Sequence, residues 1–252
     1  MQQRRPSPKE KLARLILKHA FKFSPEGDDG FHQERPYHLK TQGLMTGHTL
    51  SFLAEVFVKT ICSEFETINK NKAYAPRSPR QDQLGFEVLF GCEVENIPLL
   101  GALSVALFNL KGYNRPIIFM CGGLSGLCEE LGGLSVIDQR RTNDLSPVTK
   151  RALIITQTVD YSPTCKAIDW AQSCGWEVAG VVGVLDYEER FSKEALLTIT
   201  QEIEQEYKIR VVSLLGFQFL MDQFTIPPEG FDERVLQSLK EFRKEYGILA
   251  SA

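Results

Sequence analysis

The chain has 252 residues, 43% of them hydrophobic and 24% charged, with a formal net charge of −3. That balance excludes a disordered, fibrous or membrane-spanning chain, and its slight acidity gives no general attraction to nucleic acid. One compact domain over 1–252 is expected; at this length it buries roughly 70–75% of its unfolded surface, so a core needs no disulfide or metal to hold it.

The six cysteines (Cys62, Cys92, Cys121, Cys128, Cys165, Cys174) form no C-x-x-C pair, and the four histidines (His19, His32, His38, His48) all fall in the first fifth of the chain. No zinc-ligand spacing results, and no cofactor is expected. With no secretory segment and no long apolar run, the expected setting is a reducing, cytoplasmic one with no membrane partner.

In chain order, Met1–Lys18 carries six basic residues against Glu10 alone. Such a segment would suit a transit peptide or a surface-binding helix, but Leu12, Leu15, Ile16 and His19 recur at helical spacing, which favours a docked amphipathic helix with a solvated basic face. Residues 1–65 are expected to supply helices flanking a core over 84–252. Between Thr67 and Gln83 a polar stretch with Pro76 and Pro79 reads as a surface insertion without chemistry.

From Phe86 onward, short apolar runs alternate with helical stretches. Strands are predicted at 86–90, 116–120, 152–156, 178–185 and 210–214, and helices up to Cys174, over Lys193–Tyr207 and near Asp232–Tyr246. The rhythm is β-α-β with buried parallel strands, hence a doubly wound α/β sheet of about five strands. Ligands of such sheets bind outside the carboxyl ends of the strands, which points to the loops after Phe90, Met120, Ile155 and Leu185. Ser162 as N-cap, Pro163 at the first helical position and Gly175 at C′ punctuate the helix after the third strand.

Five blocks in order, LKHAFKFSPEG, RPYHLKTQGLMTGHTLSFLAEVF, FEVLFGCEVENIPLLGALSVALF, ALIIT to GWEVAGVVGVLDYEER, and QEIEQEYKIRVVSLL, together resemble the orotate phosphoribosyltransferase family along nearly the whole chain. The resemblance implies a type I phosphoribosyltransferase fold, a parallel sheet flanked by helices with an N-terminal hood over the base. It also implies a homodimer, and a reaction making orotidine monophosphate from orotate, phosphoribosyl pyrophosphate and magnesium.

The functional motifs depart from that pattern. Thr156 and Gln157 stand where two adjacent carboxylates hold the ribose hydroxyls, and Asp160, Tyr161, Ser162 and Pro163, followed by Thr164, replace the Thr-x-Gly-Thr turn around the 5′-phosphate. Pro163 has no N–H to offer and Asp160 repels a phosphate. In the pyrophosphate loop, Gly91–Pro98, Val94 precedes Glu95, which takes the place of a lysine. The catalytic loop keeps none of its basic groups: Cys121–Leu127 is followed by Glu129 and Glu130. Tyr187 replaces an arginine that grips the orotate carboxylate, and the hood reads Arg35-Pro36-Tyr37-His38-Leu39-Lys40, where only backbone contacts to a base at His38 and Leu39 survive.

The expectation is therefore a non-catalytic member of the family with an interaction or regulatory role, homodimeric, with a protein partner and no bound metal. The competing reading is an active phosphoribosyltransferase of pyrimidine nucleotide synthesis with an atypical site, which alone would need magnesium. A third reading, thiol chemistry at Cys165 near a helix N-terminus with Cys92 and Cys121 at the same sheet edge, competes with the commoner role of cysteine as a small buried hydrophobe; no histidine lies near these thiols in sequence to act as base.

Overall fold

The computed structural model describes residues 4–23, 35–66, 84–91, 94–119, 151–224 and 231–247. The elements in order are α1 (Pro8–His19), β1 (Phe21–Phe23), β2 (Tyr37–Leu39), α2 (Gly47–Phe65), β3 (Val88–Gly91), α3 (Ile97–Lys111), β4 (Ile117–Phe119), β5 (Arg151–Thr158), α4 (Tyr161–Ser173), β6 (Glu177–Asp186), α5 (Ile199–Tyr207), β7 (Arg210–Gly216), α6 (Phe217–Asp222) and α7 (Glu233–Tyr246). Five strands form one sheet in the order β4-β3-β5-β6-β7, and β1 pairs with β2 in a separate antiparallel ribbon. All five strands of the sheet lie within a residue or two of the predicted spans. The insertion at 67–83 and the loop at 121–127 lie outside the described residues.

The sheet is parallel and flanked by helices. Leu89 and Phe90 face Ile117 and Ile118 on one side and Leu153 and Ile154 on the other. Val88–Phe90, Ala152–Ile155 and Val181–Leu185, with Gly183 among them, are buried, because helices cover both faces of such a sheet and each strand reads as a continuous apolar run. None of the described helices is long and apolar enough to cross a membrane.

The chain divides into two compact units, one comprising Met1–Thr49, Gln157–Ser162 and Gly183–Ala252, the other Leu50–Thr156 and Pro163–Val182. In the second unit α3 buries Leu99, Leu100, Leu103 and Leu107, and Phe90 lies flat against Trp170 at 5.2 Å with Trp176 edge-on. At Gly91, which ends β3, an added Cβ would lie 2.5 Å from Leu100 Cδ1, so any larger residue there displaces the Leu100 side chain.

The first unit is built on aromatic packing. Tyr37 of β2 stacks on Phe217 at 4.4 Å, and Phe21 and Phe242 complete the cluster. Helix α1 opens with a reciprocal capping box, Ser7 with Glu10, and buries Leu12, Ala13 and Ile16. His19, assigned to the apolar stripe from its spacing, is exposed instead, and Ala13 takes its place; a stripe read from every third or fourth residue drifts off the buried face by the end of three turns.

Two other helix boundaries differ from expectation. Helix α4 begins at Tyr161, so Ser162 and Pro163 sit inside the first turn rather than at N-cap and first position; proline is tolerated there because those N–H groups have no acceptor within the helix. Gly175 does adopt the left-handed conformation, at φ 76°, that closes this helix. Helix α5 starts at Ile199 rather than Lys193, because Thr198 and Gln201 cap each other reciprocally.

Candidate functional site

The polar centre of the first unit is assembled around Arg35. This residue precedes β2, and only 5% of its surface is exposed. Its guanidinium donates from Nε and Nη2 to Glu189 Oε2 at 3.0 and 2.8 Å and from Nη2 to Asp160 Oδ1 at 3.2 Å. Its flat face lies over the Tyr187 ring, 4.2 Å from the centroid. The other oxygen of Glu189 accepts from the Tyr37 hydroxyl at 2.6 Å, and Thr158 Oγ1 donates to the other oxygen of Asp160 at 2.6 Å.

The loop carrying Tyr187 and Glu189 is held at every residue. Asp186 accepts from Thr200 and from the Glu188 N–H. Arg243 of α7 donates to the Tyr187 carbonyl at 2.7 Å. Glu188, in the left-handed conformation at φ 53°, accepts from the Gln218 N–H at the start of α6. The Glu189 carbonyl accepts from the Ile199 N–H. A left-handed non-glycine residue is unusual and persists only where its surroundings fix it; here the hydrogen bonds on both sides do so.

Burial sets the electrostatics. It pushes the Glu189 carboxyl upward against the pull of Arg35 and the Tyr37 hydroxyl, and it raises the Tyr187 and Tyr37 hydroxyls well above their usual range. For Arg35 burial acts downward, but Glu189 and Asp160 outweigh it and hold the guanidinium protonated. The result is a desolvated cation between two carboxylates, bonded to them through Nε and Nη2.

Each residue singled out from sequence can now be placed. In the first unit, Tyr187 donates nothing outward: it is buried, and its hydroxyl accepts the Leu39 N–H at 2.9 Å. The backbone donor expected to remain available for a base at Leu39 is thus used within the chain. His38 lies half-buried in β2 opposite Lys22. Gln157 Oε1 accepts from Thr41 Oγ1 at 2.6 Å, while its Nε2 is buried and finds no partner among the described residues. Asp160 belongs to the Arg35 cluster.

In the second unit, Thr156 is buried at the end of its strand, and Thr164 is buried in the first turn of α4 with its Oγ1 unpartnered among the described residues. Glu95 is exposed in a single 3-10 turn, Val94–Asn96, ahead of α3. Cys165 is buried with the core, as its bland reading has it. Cys92 and Cys121 lie outside the described residues. The donors at 156 and 157, a hydroxyl and an amide already engaged by Thr41, do not fit magnesium, which favours carboxylates with retained waters.

Sequence reasoning missed Arg35, Tyr37, Glu189 and Arg243 as parts of one site. Arg35 and Glu189 are 154 residues apart, and the one available signal was an arginine set beside proline in an otherwise apolar strand entry, RPYHL.

The sheet, its crossover helices and the N-terminal ribbon define a phosphoribosyltransferase-like α/β protein. No family model matches the chain. Orotate phosphoribosyltransferases are nevertheless its relatives: that of Actinobacillus succinogenes is 27% identical over 168 residues, spanning 66% of this chain and 72% of the relative, and that of Marinobacter nauticus is 27% identical over 186 residues, spanning 73% and 79%. Among solved structures, orotate phosphoribosyltransferase of Francisella tularensis superposes with a TM-score of 0.60 at 21% identity, covering 94% of this chain and 98% of the other. Leishmania donovani UMP synthase superposes at 0.57 with 14% identity, covering 93% of this chain and 41% of that one. The chain is thus similar to orotate phosphoribosyltransferases in sequence, and it shares their fold.

Proposed function

We propose that this chain is a non-catalytic member of the orotate phosphoribosyltransferase family, homodimeric and acting through binding to other proteins rather than through phosphoribosyl transfer. The observation that carries the reading is the Arg35 cluster: Asp160, at the position of the phosphate turn, and Tyr187, at the position of the base-gripping arginine, are both engaged by a buried side chain of the same molecule. A sugar pyrophosphate brings two phosphate-bearing ends, and desolvating them without cations or oriented N–H donors costs several kcal/mol. At the positions the resemblance assigns to the phosphate groups the chain offers carboxylates at Glu95 and Asp160, and the buried Arg35 nearby is paired with Glu189 and Asp160.

Titration calorimetry of the purified chain with phosphoribosyl pyrophosphate and magnesium tests the proposal, and the expected result is no heat of binding. Saturable binding in the micromolar range, or orotate-dependent release of pyrophosphate by protein freed of host enzyme, returns the chain to the active enzymes of pyrimidine synthesis. Restoring carboxylates at Thr156 and Gln157 alone is expected to recover nothing, since groups that act as a unit are not rescued singly.

A further inference from the structure

The first unit carries a charge asymmetry that plays no part in its packing or in the Arg35 cluster. Up to Lys22 the chain has seven basic residues, Arg4, Arg5, Lys9, Lys11, Arg14, Lys18 and Lys22, and one acidic residue, Glu10. A local charge of +6 in a chain of −3 leaves −9 for the remainder. Helix α1 turns Leu12, Ala13 and Ile16 inward, so Lys11, Arg14 and Lys18, spaced by three and four, form one stripe on its solvent side. All three are exposed, and none is in a salt bridge among the described residues.

The stripe runs into a shallow concavity of about 410 Å³ lined by Arg4, Pro6, Glu10 and Arg14. Glu10, whose carboxylate also accepts the Ser7 N–H at 2.6 Å, offsets part of the charge of Arg4 and Arg14, and the concavity keeps one net positive charge, two guanidinium groups against one carboxylate. Lys9 is also engaged, its ammonium lying over the Phe219 ring at 4.6 Å. With Lys11 and Lys18 exposed beside Arg4 and Arg14, the face keeps a net positive charge after Glu10 is counted.

We propose that this face of α1 is a docking surface for a short acidic segment of a partner protein, with a carboxylate seated between Arg4 and Arg14. Three observations select that occupant. The apolar side of α1 is buried in its own unit, so the helix has no face to insert into a lipid surface. The remaining −9 opposes any extended polyanion such as duplex nucleic acid, whose charge reaches beyond the stripe. The dimensions also match: Lys11 to Lys18 spans about 10 Å along the helix, and the alternate side chains of an extended strand recur every ~6.6 Å, so a segment of about four residues covers the stripe and a hexapeptide reaches past both its ends. The proposal is independent of whether the family's reaction persists.

The test uses the full chain and a fluorescein-labelled hexaglutamate peptide, read by anisotropy at low salt, where the Debye length is about 30 Å, and again at physiological ionic strength. The expected result is saturable binding that weakens as salt rises, and that weakens about tenfold in Arg14→Glu/Lys18→Glu. The neutral pair Arg14→Gln/Lys18→Gln, which keeps good helix formers at both positions, is expected to fall between the two. Lys166→Glu/Lys240→Glu, the same charge change at exposed residues elsewhere, is expected to bind as the parent does. No binding at low salt, or equal weakening in the Lys166/Lys240 control, overturns the proposal. So does tighter binding of phosphatidylserine vesicles or of a short DNA duplex that is lost in the Arg14/Lys18 variants, since either result assigns the face to a different class of partner.

Discussion

At Arg35 a single side chain decides whether the buried Glu189 and the half-buried Asp160 have a cationic partner. Arg35→Met leaves Glu189, fully buried beside Tyr37, without its cation, and breaking a buried pair from one side costs about 3–5 kcal/mol. Glu189→Gln in the same background removes the stranded charge while still accepting from Tyr37. The two costs measured by urea denaturation are therefore expected to fall short of additivity by about 1–3 kcal/mol; additive costs sink the account of Arg35 as the centre of the cluster. Cys62 makes a second prediction at this scale. Burial, reinforced by the Glu66 carboxylate, pushes its thiol from 9.0 up to about 12. In the unfolded chain the thiol ionises first, so this stability is fully present below the unfolded pKa and is lost as pH rises toward the folded one. Cys62→Ala is expected to flatten the fall in melting temperature between about pH 8 and 11.

Among the elements, helix ends show how much of the fold could be read from the sequence and where the reading stopped. The strands were legible because residues such as Val88–Phe90 and Ala152–Ile155 are apolar on both faces, a pattern that few other structures tolerate. Helix α5 was misplaced because Ala195, Leu196 and Leu197 extend its apolar periodicity backward, yet Leu196 is 93% exposed; the Thr198-x-x-Gln201 box, also present in the sequence, was the stronger signal. The candidate site was half legible. Asp160 and Tyr187 stood out by departing from the family pattern, but their common partner came from a segment far away in the chain, and no periodicity or spacing links such residues. The caps themselves predict measurable costs. Ser7→Ala and Thr198→Ala each remove a reciprocal box and are expected to lower stability by about 1 kcal/mol. Lys208 closes α5 at φ 55°, and Lys208→Gly is expected to raise stability by about 0.5–1 kcal/mol by relieving the Cβ contact of a left-handed residue. Thermal denaturation of the three variants checks both signs.

For the whole molecule, the proposed homodimer has a specific candidate surface in α3. A helix apolar around its entire circumference belongs in a protein interior, and α3, reading IPLLGALSVALFNLK, comes close to that, yet Val105 is 60% exposed, Phe108 58% and Leu110 53%. Gly101, Val105 and Phe108 fall on one line at i, i+4 and i+7, and a Cβ added at Gly101 would meet nothing within 4 Å. The line has a small residue beside two large apolar ones, a relief that suits the self-complementary contact a two-fold dimer requires. Each apolar side chain taken out of water there contributes about 1.5–3 kcal/mol, and in a symmetric interface each counts twice. Phe108→Glu places a carboxylate on that line in both subunits, facing its own copy or the neighbouring apolar groups, and is expected to raise the dimer dissociation constant by at least about a hundredfold. Phe108 is exposed within its unit, so the monomer is expected to keep its stability to within the roughly ±0.5 kcal/mol typical of surface substitutions. Light scattering across a concentration series reads the first quantity and calorimetry the second. A parent protein that stays monomeric at micromolar concentration removes the homodimer, and a parent dimer indifferent to Phe108→Glu moves its interface away from α3.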